Sequence, residues 1–160
     1  MAHGDILLKI EGVDGESLDK GHEKHIHIDS FQFGVANQGA GHTGGGAGAS
    51  KAIVHDMHMT KHVDKSSPML YISSFNGKHF DKAEVFVRKA GEKPHTYLKL
   101  KMKQVFISGY HCKSHEGHIA AESFTLHFSD FEMEYVTQNK DGSAGSSIVK
   151  GANMAERSHR

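Results

Sequence analysis

Apolar and polar residues alternate along most of this chain with a period of two, the repeat of a strand that buries one face and wets the other. Ile6-Leu7-Leu8-Lys9-Ile10 is a short apolar run, closed by the turn-rich stretch Gly12-Val13-Asp14-Gly15-Glu16-Ser17. His25-Ile26-His27-Ile28 alternates, and Phe31, Phe33 and Val35 continue in the opposite phase, so a bend or bulge is expected near Asp29-Ser30. A strand is expected over residues 52–63, with His55, Met57 and Met59 on one face. Ser67-Pro68 predicts the one helix start, Ser67 as N-cap and proline at the first helical position, and Gly77 is a natural C-cap. Strands follow over 80–88 and 95–108, joined by the turn Gly91-Glu92-Lys93-Pro94. In the longer strand Leu98, Leu100, Met102 and Phe106 are expected on the core face, with Lys99, Lys101 and Lys103 on the wet one. Phe124, Leu126 and Phe128 alternate inward. The next apolar set, Phe131, Met133 and Tyr135, has the other parity, which calls for a second bulge at Ser129-Asp130.

Paired strands with such bends predict a mainly β fold: a two-sheet β-barrel with one short flanking α-helix. The pattern fails in two places. Gln38 to Ser50 is mostly glycine and alanine and cannot build a core, so residues 38–50 are expected to form a long flexible arm. After Asn139-Lys140-Asp141-Gly142-Ser143 a short Ile148-Val149 strand is possible, and residues from about 151 to 160 read as a mobile tail. The whole of 1–160 reads as one domain, without internal repeats.

Composition narrows the function. Nineteen Lys plus Arg balance nineteen Asp plus Glu, which argues against nucleic acid, whose phosphates draw on a basic excess. A single cysteine, Cys112, excludes an intrachain disulfide. The N-terminal stretch has neither the basic region nor the apolar core of an export signal, and no run approaches the roughly 20 apolar residues of a spanning helix. No membrane insertion is expected.

Fifteen histidines make metal binding the first chemistry to weigh. His25 and His27, two apart on a predicted strand, share a face and are the candidate metal pair. His55 with His58 and His62 is poorly phased, and His111, His115 and His118 fall in a polar connection. Neither an HExxH helix nor a CxxC pair is present. Catalytic patterns are missing as well: there is no GxSxG elbow, and Gly44-Gly45-Gly46 lacks the lysine and helix of a phosphate loop. No catalytic residues, no cofactor and no enzymatic activity are expected. A histidine-rich metal-binding β-barrel is the alternative reading.

The order of motifs resembles one family. Asp5-Ile6-Leu7-Leu8-Lys9-Ile10-Glu11-Gly12-Val13-Asp14-Gly15-Glu16-Ser17 is similar to the opening strand and turn of the haemolysin-coregulated proteins (Hcp). Ser30-Phe31-Gln32-Phe33-Gly34-Val35, Thr60-Lys61-His62-Val63-Asp64-Lys65-Ser66-Ser67-Pro68-Met69-Leu70, Val105-Phe106-Ile107-Ser108-Gly109-Tyr110, Glu122-Ser123-Phe124-Thr125-Leu126-His127-Phe128 and Glu134-Tyr135-Val136-Thr137-Gln138 follow in family order. The chain departs from the pattern at the histidine-rich connection between Cys112 and Ala121 and after Gly151. The resemblance implies a tube protein of the type VI secretion system. Six copies would close into a ring, and rings would stack within a sheath, with spike and baseplate as further partners and small effector proteins in the lumen. Such a protein would be made in the bacterial cytoplasm and secreted folded, without a signal peptide. Closure into a ring requires head-to-tail contacts. The segment expected to reach across them is the glycine-rich arm, at Gly41, His42, Thr43, Gly44, Gly45 and Gly46.

Overall fold

Strands make up more than half of the described residues, and one long hairpin organises them. A computed structural model describes residues 4–37 and 51–160, so the arm at 38–50, with its expected interface residues, lies outside the described residues. The strands are β1 (Asp5–Ile10), β2 (Ile26–Ile28), β3 (Ser30–Gln32), β4 (Val35–Ala36), β5 (Ile53–Val54) and β6 (Met57–His62). After the helix α1 (Ser67–Asn76) come β7 (His79–Lys89), β8 (His95–Lys113), β9 (Ala121–His127), β10 (Asp130–Gln138), β11 (Ala144–Asn153) and β12 (Ser158–His159).

Strand β8 serves two neighbours in turn. Its first half, Leu98 to Lys103, pairs with β10, and its second half, Phe106 to Lys113, pairs with β9. The change of partner falls at Gln104, whose φ of 51° lies in the left-handed region. That kink swaps the parity. Leu100 and Met102 are buried before it and Val105 and Ile107 after it, while Phe106 turns outward between the rings of His79 and His127. The expected core row is therefore corrected at Phe106. The same shift runs across the hairpin into β7, where Phe80 and Ala83 are buried and face Val105 and Met102.

The bend anticipated near Asp29-Ser30 is present and has a second use. Strand β2 pairs with β1, and β3 pairs with β6. Asp29 between them donates its amide to the Thr60 carbonyl at 2.8 Å. The pairing path β1–β7–β8–β9–β6–β3 thus returns to β1 through one bent strand, and it encloses the core of Leu8, Ile26, Met57, Met59, Val85, Leu100, Phe124 and Leu126. The expected strand over 52–63 is interrupted at His55-Asp56, and its first part pairs only with β4. Within the N-terminal turn a side chain at Gly15 would meet the His25 carbonyl oxygen at 2.3 Å, so only glycine lets the two segments touch.

Three further expectations are corrected. The helix N-cap is Ser66 and not Ser67, which becomes the first helical residue; Gly77 does end the helix, at φ 68°. Met133 and Tyr135 do not reach the core, because β10 runs past the end of the barrel; Tyr135 is 44% exposed, and Phe131 alone of that set packs inward. The tail is structured. Strand β11 pairs with the whole of β10, and β12 folds back on β11 at Ala152 and Asn153. Arg160 then clamps Asp130 at 2.7 Å and Glu132 at 3.2 Å. Short polar residues hid this strand, because its partners supply backbone hydrogen bonds and not an apolar face.

Candidate assembly surfaces and the buried ion-pair network

Lys61 is the most unusual residue of the barrel, a lysine with no exposed surface. Its parity on β6 matches that of Met57 and Met59, so its stem points inward, while Glu122 holds the corresponding place on β9 beside Phe124 and Leu126. The ammonium meets Glu122 Oε1 at 2.5 Å and Asp64 Oδ1 at 2.8 Å, and donates to the His62 carbonyl at 3.0 Å. Ser67 Oγ donates to Glu122 Oε1 at 2.8 Å, and the Tyr110 hydroxyl donates to Oε2. Each charge taken out of water costs several kcal/mol, and only this density of partners offsets it.

The network ties α1 to the barrel. Asp64 Oδ1 accepts from the Ser66 amide at 2.8 Å, and Ser67 Oγ accepts from the Asp64 amide at 2.9 Å, so the turn into the helix is stitched to the ion pair. Burial pushes the Asp64 carboxyl up, but hydrogen bonds from Lys61 and Ser66 outweigh it and hold its pKa below the usual range. Burial, and then the Glu122 carboxylate, push the Tyr110 hydroxyl well up, so it stays a donor. Composition could not locate this network. Parity could have pointed to it: Lys61 falls in phase with Met57 and Met59, and Glu122 with Phe124 and Leu126.

What the network holds in place is an apolar helix surface. Leu70 and Ser73 are buried against the barrel, whereas Met69, Tyr71, Ile72 and Phe75 face outward, Phe75 with 80% of its surface exposed. Tyr71 leans on Tyr110 with ring centroids 5.6 Å apart. A second apolar surface lies on the protruding end of β10 and β11, where Tyr135 and Ile148 face each other in register. Val35, Ile53 and Val54 of the β4–β5 ribbon form a third. Strand β11 also leaves its outer edge open between Ala144 and Lys150 among the described residues. Apolar patches and open strand edges are liabilities for an isolated subunit and contact surfaces for an assembling one.

The expected metal pair is placed in two different environments. His25 lies just before β2 and is buried, its ring edge-on to His22 and against Phe86, and its Nδ1 donates to the Glu23 carbonyl at 3.1 Å. His27 is exposed on β2. Other histidines have carboxylate partners: His62 Nδ1 lies 2.9 Å from Asp29, and His127 Nδ1 lies 2.8 Å from Asp56. No three His, Cys, Asp or Glu side chains converge as metal ligands among the described residues.

A bent-strand barrel with a pinned helix and several uncovered apolar surfaces defines the class: a small β subunit with the surfaces of an assembling protein. Residues 7–135 match the family model described as type VI secretion system effector, Hcp. Protein hcp1 of Pseudomonas aeruginosa is 36% identical over 148 residues, spanning 91% of this chain and 91% of that protein. The crystal structure of Hcp1 from Salmonella typhimurium superposes with a TM-score of 0.79 at 30% identity, covering 100% of both chains. A structure described as a type six secretion system protein superposes at 0.93 with 26% identity, over 99% of this chain and 100% of that one. The chain belongs to the Hcp family of type VI secretion tube proteins.

Proposed function

We propose that this chain is the tube subunit itself. Six copies close head-to-tail into a ring, the rings stack, and the lumen carries and stabilises small effector proteins until the tube is fired and secreted. Its partners are further copies of the chain, the sheath, spike and baseplate components, and the effectors. It is made in the bacterial cytoplasm and leaves by this route, and it acts as a structural protein and not as an enzyme. The arm, at Gly41, His42, Thr43, Gly44, Gly45 and Gly46, reaches a neighbouring subunit.

One observation carries this reading beyond family membership: the outward apolar face of α1 is fixed to the barrel by a fully buried ion pair, as expected of a surface that meets a partner. Native mass spectrometry and negative-stain microscopy of the full chain test it. Six-membered rings are expected, and a strictly monomeric protein at high concentration would refute it.

A further inference from the structure

Leu18 is the most exposed large apolar side chain among the described residues, with 92% of its surface free, and its loop is pinned on both sides of it. Ser17 before it is buried: its amide donates to the His25 carbonyl at 3.0 Å, and its carbonyl accepts from the Lys24 amide at 2.8 Å. Asp19 after it is ion-paired to the nearly buried Arg88. A lone exposed leucine on a loose loop needs no explanation. One presented by a fixed loop is already ordered for a contact and loses little freedom in making it.

A receiving groove lies elsewhere on the subunit. A cavity of about 970 Å³ opens between strand β5, the turn from β9 to β10 and the loop from β11 to β12. Ile53, Val54, Phe128 and Met154 give it an apolar wall. The two features sit at opposite ends of β6. Glu16, two residues before Leu18, accepts from the Lys65 amide at 3.3 Å, just past the last strand residue, His62. The groove includes His55 and Asp56, just before the first, Met57. Val63 and Ile119, both exposed, lie at the Leu18 end of β6 as well; the Val63 amide donates to the Ala120 carbonyl at 2.9 Å.

Charge decides which of these surfaces can meet. The stretch around Leu18 carries three acids, Asp14, Glu16 and Asp19, against one base, Lys20. The groove wall carries Lys51 and Arg157 against Asp56 alone. That carboxylate is held within the subunit by His127 at 2.8 Å and by the Ser108 hydroxyl at 2.7 Å. Glu156 stands outside the wall, its amide donating to Asn153 Oδ1 at 2.9 Å. Two Leu18 loops face to face would set acid against acid, and two grooves base against base. Leu18 against groove is the pairing that the charges favour.

We propose that the Leu18 loop of one copy of this chain docks in the groove of the next. Leu18 enters between Phe128 and Met154, and the acids beside it meet Lys51 and Arg157. A contact that joins opposite ends of a subunit is head-to-tail and propagates from copy to copy. That makes it the contact between stacked rings. The assignment to stacking rests on the tube reading; the contact itself does not.

The test is carbodiimide cross-linking of the full chain, which joins a carboxylate to an amine in direct contact. Unlabelled and isotopically heavy chains are mixed dilute, concentrated to assemble, and linked. Peptides joining Lys51 to Asp14, Glu16 or Asp19 should pair one light half with one heavy half, in products larger than a single ring. Leu18→Ser should lower their yield roughly tenfold, the effect of burying one leucine. Its unfolding curve should match wild type, because the side chain lies outside the core. Six-membered rings without the light–heavy link, or a link undiminished by Leu18→Ser, would overturn the contact and leave the tube reading standing. A link confined to single rings would overturn the stacking assignment. The link in open rows without rings would keep the contact and overturn the tube reading, and single subunits throughout would overturn both.

Discussion

Removing Glu122 should be among the most damaging single changes in the barrel. Glu122→Ala leaves Lys61 with no exposed surface and takes away the carboxylate that holds it at 2.5 Å; Asp64, the His62 carbonyl and a long bond to Ser67 Oγ at 3.4 Å remain to stabilise the ammonium. It also strands the donors of Tyr110 and Ser67. Breaking a buried pair from one side costs about 3–5 kcal/mol, and in a domain of this size each kcal/mol lowers the melting temperature by about 2–4 °C. Lys61→Met should cost a similar amount, because it leaves Glu122 as the buried group without its cation. The double variant K61M/E122Q has no buried charge and keeps an acceptor for Tyr110 and Ser67, so it should recover to within about 1–2 kcal/mol of wild type. Urea unfolding followed by circular dichroism at a fixed protein concentration, which keeps any contribution of association constant, gives all three values. A loss below 1 kcal/mol for Glu122→Ala, or strictly additive costs in the double variant, would refute the reasoning.

Arg88 is nearly buried between Asp5, at 2.5 Å, and Asp19, and its guanidinium holds the Asp5 carboxyl below its ordinary value of 3.8. That pair stabilises the fold fully above pH 4 and less as pH falls through the lowered value, so Arg88→Gln should flatten the acid limb of a stability-against-pH curve between pH 5 and 2. An unchanged limb would assign acid sensitivity to other carboxylates. Arg160→Ala should release β12: amide exchange at Ser158 to Arg160 and at Gly151 should speed up while β10 stays protected, and exchange identical to wild type would show that backbone pairing alone holds the tail. Phe75→Ser should leave subunit unfolding within about 0.5 kcal/mol, because the ring contributes little to the subunit core. It should shift native mass spectra from rings toward single subunits, and intact rings would remove α1 from the assembly surface.

Period-two alternation was enough to read the barrel strands, and the two phase changes, near Asp29 and at Ser129-Asp130, were legible as bends. The third, at Gln104, was not. Val105, Phe106 and Ile107 form a continuous apolar run, so the inward residues cannot be told from the outward one until the strand is seen to change partner. The tail was misread for a different reason: Ser147, Gly151 and Ala152 pair through their backbones, and side-chain pattern carries no record of that. The buried pair was legible in principle, since Lys61 and Glu122 each occupy the inward phase of an apolar row. A charge in that phase is more often a strand end, and only the surrounding donors separate the two cases. The histidine excess drew attention to metal, whereas the described histidines are mostly single exposed residues, ring partners of Phe86 and Phe106, or partners of Asp29 and Asp56.

The buried pair and the exposed helix belong to one physical argument. A subunit that assembles pays for every side chain and segment it orders at the moment of contact, and a surface already rigid avoids that cost. Helix α1 has ten residues, short of the length at which a helix holds itself in water. Its inward face offers only Leu70 among buried apolar residues, too little to fix its orientation by packing alone. Lys61, Glu122, Asp64 and Ser67 supply the missing constraint through directional bonds, which set the rotation of the helix as an apolar contact would not. An apolar replacement such as K61M with E122L could match the stability of the ion pair and still lose that orientation. Such a variant, stable but slower to form rings than wild type, is the result expected if the pair is kept for geometry; equal assembly rates would reduce it to a substitutable part of the core.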